Sequence, residues 1–234
     1  MHVSDEATLR EALIATARAM NPLGINRGKA GNVSVRLRDG LLVTPSALSY
    51  DRIEVDDLVE LDLDGRVRSG ARAPSTEWHF HCAIYRSRPD SAAIVHTHGP
   101  FTTTLACLDL AIPAFHYMVA KAGGRDIRCA RYATFGTPEL AVHAVEALDG
   151  RQACLLSHHG MIALGADLDA ALGMAIDVEA LAEAYWRASQ VGPPPLLDDA
   201  EMARVKEKFG RYGRGPRRDA PPAPAQPRPA DEPQ

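Results

Sequence analysis

The sequence predicts an α/β domain in which helices pack on an antiparallel or mixed sheet, and three observations carry that reading. Segments with apolar residues at three-and-four spacing alternate with short β-rich runs. Two of the turns between those runs are Asp-Gly pairs, Asp39-Gly40 and Asp64-Gly65, which are strong hairpin signals. The composition, 46% hydrophobic and 24% charged over 234 residues, is that of a globular chain with material for one sizeable core.

Taken in order, the segment from Glu6 to Met20 sets Leu9, Leu13, Ile14 and Ala17 on one helical face, with Ser4 or Asp5 as its cap and Asn21-Pro22-Leu23-Gly24 as its stop. Residues 32–37 and 41–44 form one expected hairpin, and 59–63 with a run from Val67 form a second. Ser75 is expected to cap a helix running to about Arg86. Residues 92–96 read as a buried strand, 101–108 as a helix and 112–133 as irregular. Thr137 and Pro138 open a helix to Leu148. Residues 153–156 and 161–164 make two strands or one bent strand, and the longest helix runs from about Leu168 to Ser189. Pro193-Pro194-Pro195 is a stiff connector to a short amphipathic helix over 198–209. Beyond about Gly213 the chain is rich in Pro, Arg and Ala, so the expected division is a folded domain over 1–213 and a disordered tail over 214–234.

The 26 basic and 30 acidic residues leave a formal charge of −4, which offers no footprint for nucleic acid or anionic lipid. No apolar run approaches the ~20 residues that span a bilayer. The N-terminus carries acids where a signal peptide carries a basic flank, so the expected location is the cytoplasm and the expected partner a small molecule. The four cysteines, Cys82, Cys107, Cys129 and Cys154, show no C-x-x-C pair and read as buried free thiols.

The chemistry-bearing residues cluster in a few places. His96 and His98 end an apolar strand, and residues two apart on a strand point to one face, so both imidazoles can share an ion. Ser157-His158-His159-Gly160 ends another strand-like run, so His158 or His159 can supply a third nitrogen and complete the open three-ligand set of catalytic zinc. Glu77 is the natural carboxylate of such a site, able to ligate at rest and to move a proton afterwards. Of its two neighbouring histidines, His79 and His81, the second lies four residues on along the same helix face and could bind metal, but reads first as a helix-surface or interface residue. Loop amides, hydroxyls and a cation around Gly28-Lys29-Ala30-Gly31-Asn32, Ser46 and Ser75-Thr76 suggest an anion site.

The stretches GKAGNVSVR, LLVTPSALSYDRI, PSTEWHFH, AIVHTHGP, FHYMVAKAGG, ARYATFG and LLSHHGMIALG stand in the order seen in class II aldolase/adducin proteins. The chain resembles that family over roughly residues 5–213, and within it the L-fuculose-phosphate aldolases. The resemblance implies a largely antiparallel sheet of about nine strands flanked by helices, in a homotetramer with active sites between subunits. It implies zinc, or another divalent ion such as manganese, on His96, His98, His159 and Glu77, with Glu77 also shuttling a proton. Tyr117, from the adjacent subunit, is the implied acid at the aldehyde oxygen. The implied reaction splits a small ketose 1-phosphate into dihydroxyacetone phosphate and an aldehyde through a metal-stabilised enediolate, with no covalent role for Lys29 or Lys121.

The implied phosphate pocket is Lys29, Asn32, Ser46, Ala47, Ser75 and Thr76. It departs from the family in three places: Lys29 replaces a threonine, Ser46-Ala47 a Thr-Gly pair, and Ser75-Thr76 a Ser-Ser pair. Ala47 is the largest change, because a Cβ restricts backbone approach to a phosphate, and a carboxylate is the alternative anion. The implied aldehyde pocket is Phe135, Phe209 and Tyr212. The same fold also hosts decarboxylases, pentulose-phosphate 4-epimerases, a dehydratase and non-catalytic adducin-type scaffolds.

Overall fold

The computed structural model describes residues 3–212, and the expected tail lies outside them. A single sheet organises the chain, with strands in the order β4-β3-β2-β1-β5-β8-β7-β6. These are β1 (Asn32–Leu37), β2 (Gly40–Val43), β3 (Val59–Asp62), β4 (Val67–Ser69), β5 (Ala93–Thr97), β6 (Cys129–Ala130), β7 (Ala153–Leu156) and β8 (Gly160–Gly165). Every pairing is antiparallel except β6 with β7. The helices are α1 (Val3–Ala19), α2 (Trp78–Ser87), α3 (Pro100–Ala106), α4 (Pro138–Ala147), α5 (Leu168–Val191) and α6 (Asp199–Arg211). No helix among the described residues is long and apolar enough to cross a membrane.

Both faces of the sheet are covered, which explains why β2, β5, β7 and β8 are buried along their whole length. Val33, Val35, Ala93, Val95, Ala153, Leu155, Met161 and Ala163 face one core with α1, α3 and α5. Their alternates Ile94, Cys154, Leu156, Ile162 and Leu164 face a second core with α2 and α4. Each fully buried Val, Ile or Leu contributes roughly 1.5–3 kcal/mol.

The expected architecture holds, with four adjustments. The strands number eight, because pairings such as Pro45 with Pro74 and Ile112 with Ile127 are isolated bridges. The first helix starts at Val3, so Ser4 and Asp5 lie inside it. The segment 153–164 is two strands and a tight turn. Ser75 does not cap α2: its backbone N–H donates to Thr44 O, which ties it to the end of β2, and the helix begins at Trp78 with Glu77 at the N-cap position. Within the irregular stretch lie a 3₁₀ helix, Tyr117–Ala122, and the two-residue β6. Thr137 caps α4 as expected, its side chain accepting from Leu140 N, with Pro138 in the first turn.

Candidate active site

The site grows from the sheet face that α2 covers. His96 on β5 pairs with Asn32 on β1, and alternation puts Asn32, Ser34 and His96 on the face opposite Val33, Val35 and Val95. Glu77 hangs over that face from the start of α2. His98 lies just past the end of β5, its backbone N–H donated to Asn26 Oδ1 at 2.9 Å. His159 closes the turn between β7 and β8. A Cβ on Gly31 would stand 2.4 Å from His96 O, and one on Gly160 would stand 2.4 Å from Thr97 O. Two motif glycines are thus fixed by the close approach of the walls around these histidines.

The ligand atoms of Glu77, His96, His98 and His159 all lie within 4.8 Å of one another. Glu77 Oε2 is 3.0 Å from His96 Nε2, and Glu77 Oε1 is 3.1 Å from His159 Nε2. His98 Nε2 is 2.9 Å from His96 Nε2. The His96 Nδ1 atom lies 2.8 Å from Met161 O, and a carbonyl only accepts. The proton of the neutral ring is therefore on Nδ1, and Nε2 presents a lone pair to the centre. Burial, reinforced by the imidazoles of His96 and His159, pushes His98 down to about 3, so it too is an uncharged base at neutral pH.

Burial alone would raise the Glu77 pKa, but the imidazoles of His96 and His159 outweigh it and hold the carboxyl well below its usual range. Its Oε1 is buried without a well-directed hydrogen-bond donor. Acceptor lone pairs and a carboxylate aimed at one point repel one another unless a cation lies between them. Three imidazole nitrogens and one carboxylate oxygen suit a four-coordinate divalent ion, so the residues present fit the expected metal.

Of the two adjacent histidines, His159 joins this cluster and His158 does not. His158 adopts a left-handed backbone, φ 52°, and its exposed ring sits 3.8 Å from Asp109 and edge-on to Tyr132. His81 corrects the expectation of a surface role. It is completely buried, with Nε2 2.6 Å from Asn32 Oδ1 and Nδ1 2.7 Å from Ser34 Oγ. His79 instead stacks on Trp78, beside α4.

Burial, aided by the His96 imidazole, pushes His81 down to about 3, against about 6.5 in an unfolded chain. The native state thus binds fewer protons than the unfolded state between those values. The associated stability is fully present above pH 6.5 and is lost as the pH falls toward 3. Metal-free protein should accordingly lose more stability between pH 7 and pH 5 than its His81→Gln variant, as read from urea midpoints. Equal losses would contradict the shift.

Lys29, Ser46, Ala47 and Thr76 line a cavity of about 550 Å³ whose floor includes Glu77, His98 and His159 and whose far wall includes Phe135, Tyr132 and His158. Asn32 and Ser75 do not line it. Asn32 is turned behind Glu77, donating to Oε2 at 2.9 Å, and Ser75 Oγ accepts from Glu77 N. Ala47 occupies the left-handed region at φ 59°, where a Cβ is strained, and its carbonyl accepts from Lys29 Nζ at 3.0 Å. Ala47→Gly should raise stability by up to about 1 kcal/mol, the relief of left-handed strain offset by unfolded-state entropy. A lower urea midpoint would count against this.

Tyr117, Phe209 and Tyr212 gather elsewhere, with Tyr117 stacked on Phe209 at 6.2 Å, in a second cavity of about 600 Å³ beside Lys121. Within one chain they do not meet the histidine cluster, nor does Phe135 meet Phe209 and Tyr212. Two supporting residues escaped sequence reasoning. Asn26 anchors His98, and Glu179 on α5 accepts from Phe101 N, Thr102 N and Thr102 Oγ1, fixing the chain just after His98. A glutamate between Val178 and Leu181 on an otherwise apolar helix face is the signal that could have revealed the second.

The chain matches the Class II Aldolase and Adducin N-terminal domain over residues 11–186. It belongs to the class II aldolase/adducin family. Among this family's members, a 5-methylthioribulose-1-phosphate/5-deoxyribulose-1-phosphate aldolase of Rhodospirillum rubrum is 55% identical over 215 residues, 92% of this chain and 97% of that protein. An L-fuculose phosphate aldolase of Escherichia coli K12 is 47% identical over 206 residues, 88% of this chain and 95% of that one. A solved L-fuculose 1-phosphate aldolase structure superposes with a TM-score of 0.85 at 40% identity, covering 90% of this chain and 98% of the other. Relatives named as aldolases at this level of identity place this family member among the lyases.

Proposed function

We propose that this chain is a zinc-dependent aldolase that splits a small ketose 1-phosphate between C3 and C4 into dihydroxyacetone phosphate and an aldehyde. The observation that carries the reading is the convergence of Glu77, His96, His98 and His159, of which Glu77, His98 and His159 line a cavity shared with Lys29, Ser46 and Thr76. The relatives' names supply the candidate substrates: 5-methylthioribulose, 5-deoxyribulose and L-fuculose 1-phosphates. All three leave dihydroxyacetone phosphate on C3–C4 cleavage and differ in the aldehyde.

Glu77, His96, His98 and His159 would hold a divalent ion, which would supply a Lewis acid for the substrate's C2 carbonyl. The chain's own groups handle the protons. Glu77 takes the C3 hydroxyl proton on binding and returns it to C3 after the bond breaks, while Tyr117 relays the proton of the C4 hydroxyl to solvent as the aldehyde forms and the C3 oxygen takes one back from solvent, so that every group ends as it began. Lys29, Ser46 and Thr76 hold the phosphate, with Asn32 and Ser75 supporting that wall from behind. Phe135, Phe209 and Tyr212 line the aldehyde end. Because Tyr117, Phe209 and Tyr212 lie apart from the histidines in one chain, the reading requires a neighbouring subunit, and a cytoplasmic homotetramer with shared sites meets that requirement.

Tyr117→Phe should keep its metal and slow turnover by about 10²–10⁴-fold. Mixing it with metal-free His96→Ala, through partial dissociation and reassembly, should restore activity by building mixed sites. Unchanged turnover in Tyr117→Phe removes that residue from the mechanism, and no recovery on mixing removes the shared site. A second reading, decarboxylation or epimerisation of a carboxylate-bearing substrate, draws on the Cβ of Ala47 beside Lys29 in the anion loop. A structure described as a putative aldolase/epimerase/decarboxylase from Escherichia coli, 28% identical with a TM-score of 0.75, is similar to this chain.

A further inference from the structure

Behind Glu77 runs a buried chain of polar side chains of which the mechanism above uses only Asn32. Asn32 Nδ2 is 2.9 Å from Glu77 Oε2, His81 Nε2 is 2.6 Å from Asn32 Oδ1, His81 Nδ1 is 2.7 Å from Ser34 Oγ, and Ser34 Oγ is 2.9 Å from Tyr85 OH. Asn32, Ser34, His81 and Tyr85 are each at most 3% exposed, so none of these bonds competes with water. The chain is sealed at its far end by Arg36, which donates to Tyr85 O and lies 4.6 Å above the Tyr85 ring.

Every donor in this chain has one consistent direction. Glu77 is a carboxylate and only accepts, so Asn32 must present its amide nitrogen to it and its carbonyl oxygen to His81. His81 must then carry its proton on Nε2, which leaves Nδ1 to accept from the Ser34 hydroxyl. Ser34 in turn accepts from Tyr85. Rotating the Asn32 amide by half a turn would set its carbonyl against the Glu77 carboxylate and its NH2 against the His81 N–H. One histidine tautomer therefore determines which face of Asn32 meets the acid.

We propose that His81 is a positioning residue: through Asn32 it holds Glu77 Oε2 in place, so that the carboxylate stays between His96 and His159 and its Oε1 is left for the metal and the substrate. The inference concerns metal binding first and catalysis second, and its catalytic part rests on the aldolase reading above. Side chains that orient metal ligands typically change affinity or activity by about 10–100-fold when removed.

The test compares His81→Phe, which fills the space without donating, with His81→Gln, whose amide nitrogen can replace the Nε2 donor. Zn2+ affinity of the folded fraction is measured by equilibrium dialysis, alongside kcat and KM for whichever ketose 1-phosphate is cleaved. His81→Phe should weaken Zn2+ binding at least tenfold, lower kcat more than it raises KM, and be largely rescued by His81→Gln. In an Asn32→Ala background, His81→Phe should cause no further loss of Zn2+ affinity, because the chain is already cut.

Unchanged Zn2+ affinity in folded His81→Phe, or full additivity with Asn32→Ala, overturns the proposal and leaves His81 a packing residue. Should His81→Phe not fold, Asn32→Ala against wild type and His81→Gln against Ser34→Ala give the same comparison. In that pair, native-like Zn2+ affinity in Asn32→Ala overturns the proposal. Zinc affinity is read without any substrate, so failure of the aldolase reading would leave this result standing or falling by itself.

Discussion

His96→Ala should fold, retain no more than a trace of bound zinc and release no detectable dihydroxyacetone phosphate from any ketose 1-phosphate. His96 is completely buried at the centre of the cluster, 3.0 Å from Glu77 Oε2 and 2.9 Å from His98 Nε2, with its Nδ1 proton committed to Met161 O. Removing it takes away one of three nitrogens and leaves a void beside a carboxylate, and two imidazoles do not hold zinc in the resting four-coordinate set. His159→Ala should behave alike, while His158→Ala should keep near-native zinc, since that ring points toward Asp109 and Tyr132. Metal analysis of the purified proteins decides it. Loss of zinc in His158→Ala with retention in His159→Ala would reverse the assignment.

Glu77→Gln should remain folded, bind zinc more weakly, and turn over at least 10²–10³-fold more slowly than wild type at saturating metal. The substitution keeps the shape of the side chain and the hydrogen bond from Asn32 Nδ2, since the amide oxygen can take the place of Oε2. It removes the negative charge and the group able to take and return a proton at C3. Circular dichroism and zinc titration separate that loss from unfolding or an empty site. Turnover within a few-fold of wild type, with zinc bound, would exclude Glu77 as the proton-moving group.

Much of the site was legible in the sequence where one periodicity decided it. His96 and His98 are two apart at the end of an apolar strand, and strand alternation, with Asn26 holding His98 just past the end of β5, sets their Nε2 atoms 2.9 Å apart. Asp-Gly turns located both hairpins of the β1–β4 half, and Thr137-Pro138 located the start of α4. What the sequence could not settle depends on contacts distant along the chain. The choice of His159 over His158 rests on a left-handed backbone at His158. The burial of His81 depends on β1 placing Asn32 and Ser34 beneath α2, so a helix read alone leaves His81 looking like a surface residue. Ser75 has the chemistry of a cap, yet its bond to Thr44 and the bridge between Pro45 and Pro74 hold it to the sheet edge. Tyr117 meets Phe209 through packing of α6 on the 3₁₀ helix, with Tyr212 lining the same cavity, a pairing no local pattern encodes.

The proposed function stands on Glu77, His96, His98 and His159 acting as a metal site for aldol cleavage. The most direct measurement incubates the zinc-loaded protein with 5-methylthioribulose, 5-deoxyribulose and L-fuculose 1-phosphates and couples released dihydroxyacetone phosphate to a dehydrogenase. At least one of them should give release that disappears with a chelator, returns when zinc is restored and is lost in Glu77→Gln. Silence across the panel with zinc bound, or release that survives complete removal of the metal, would contradict it.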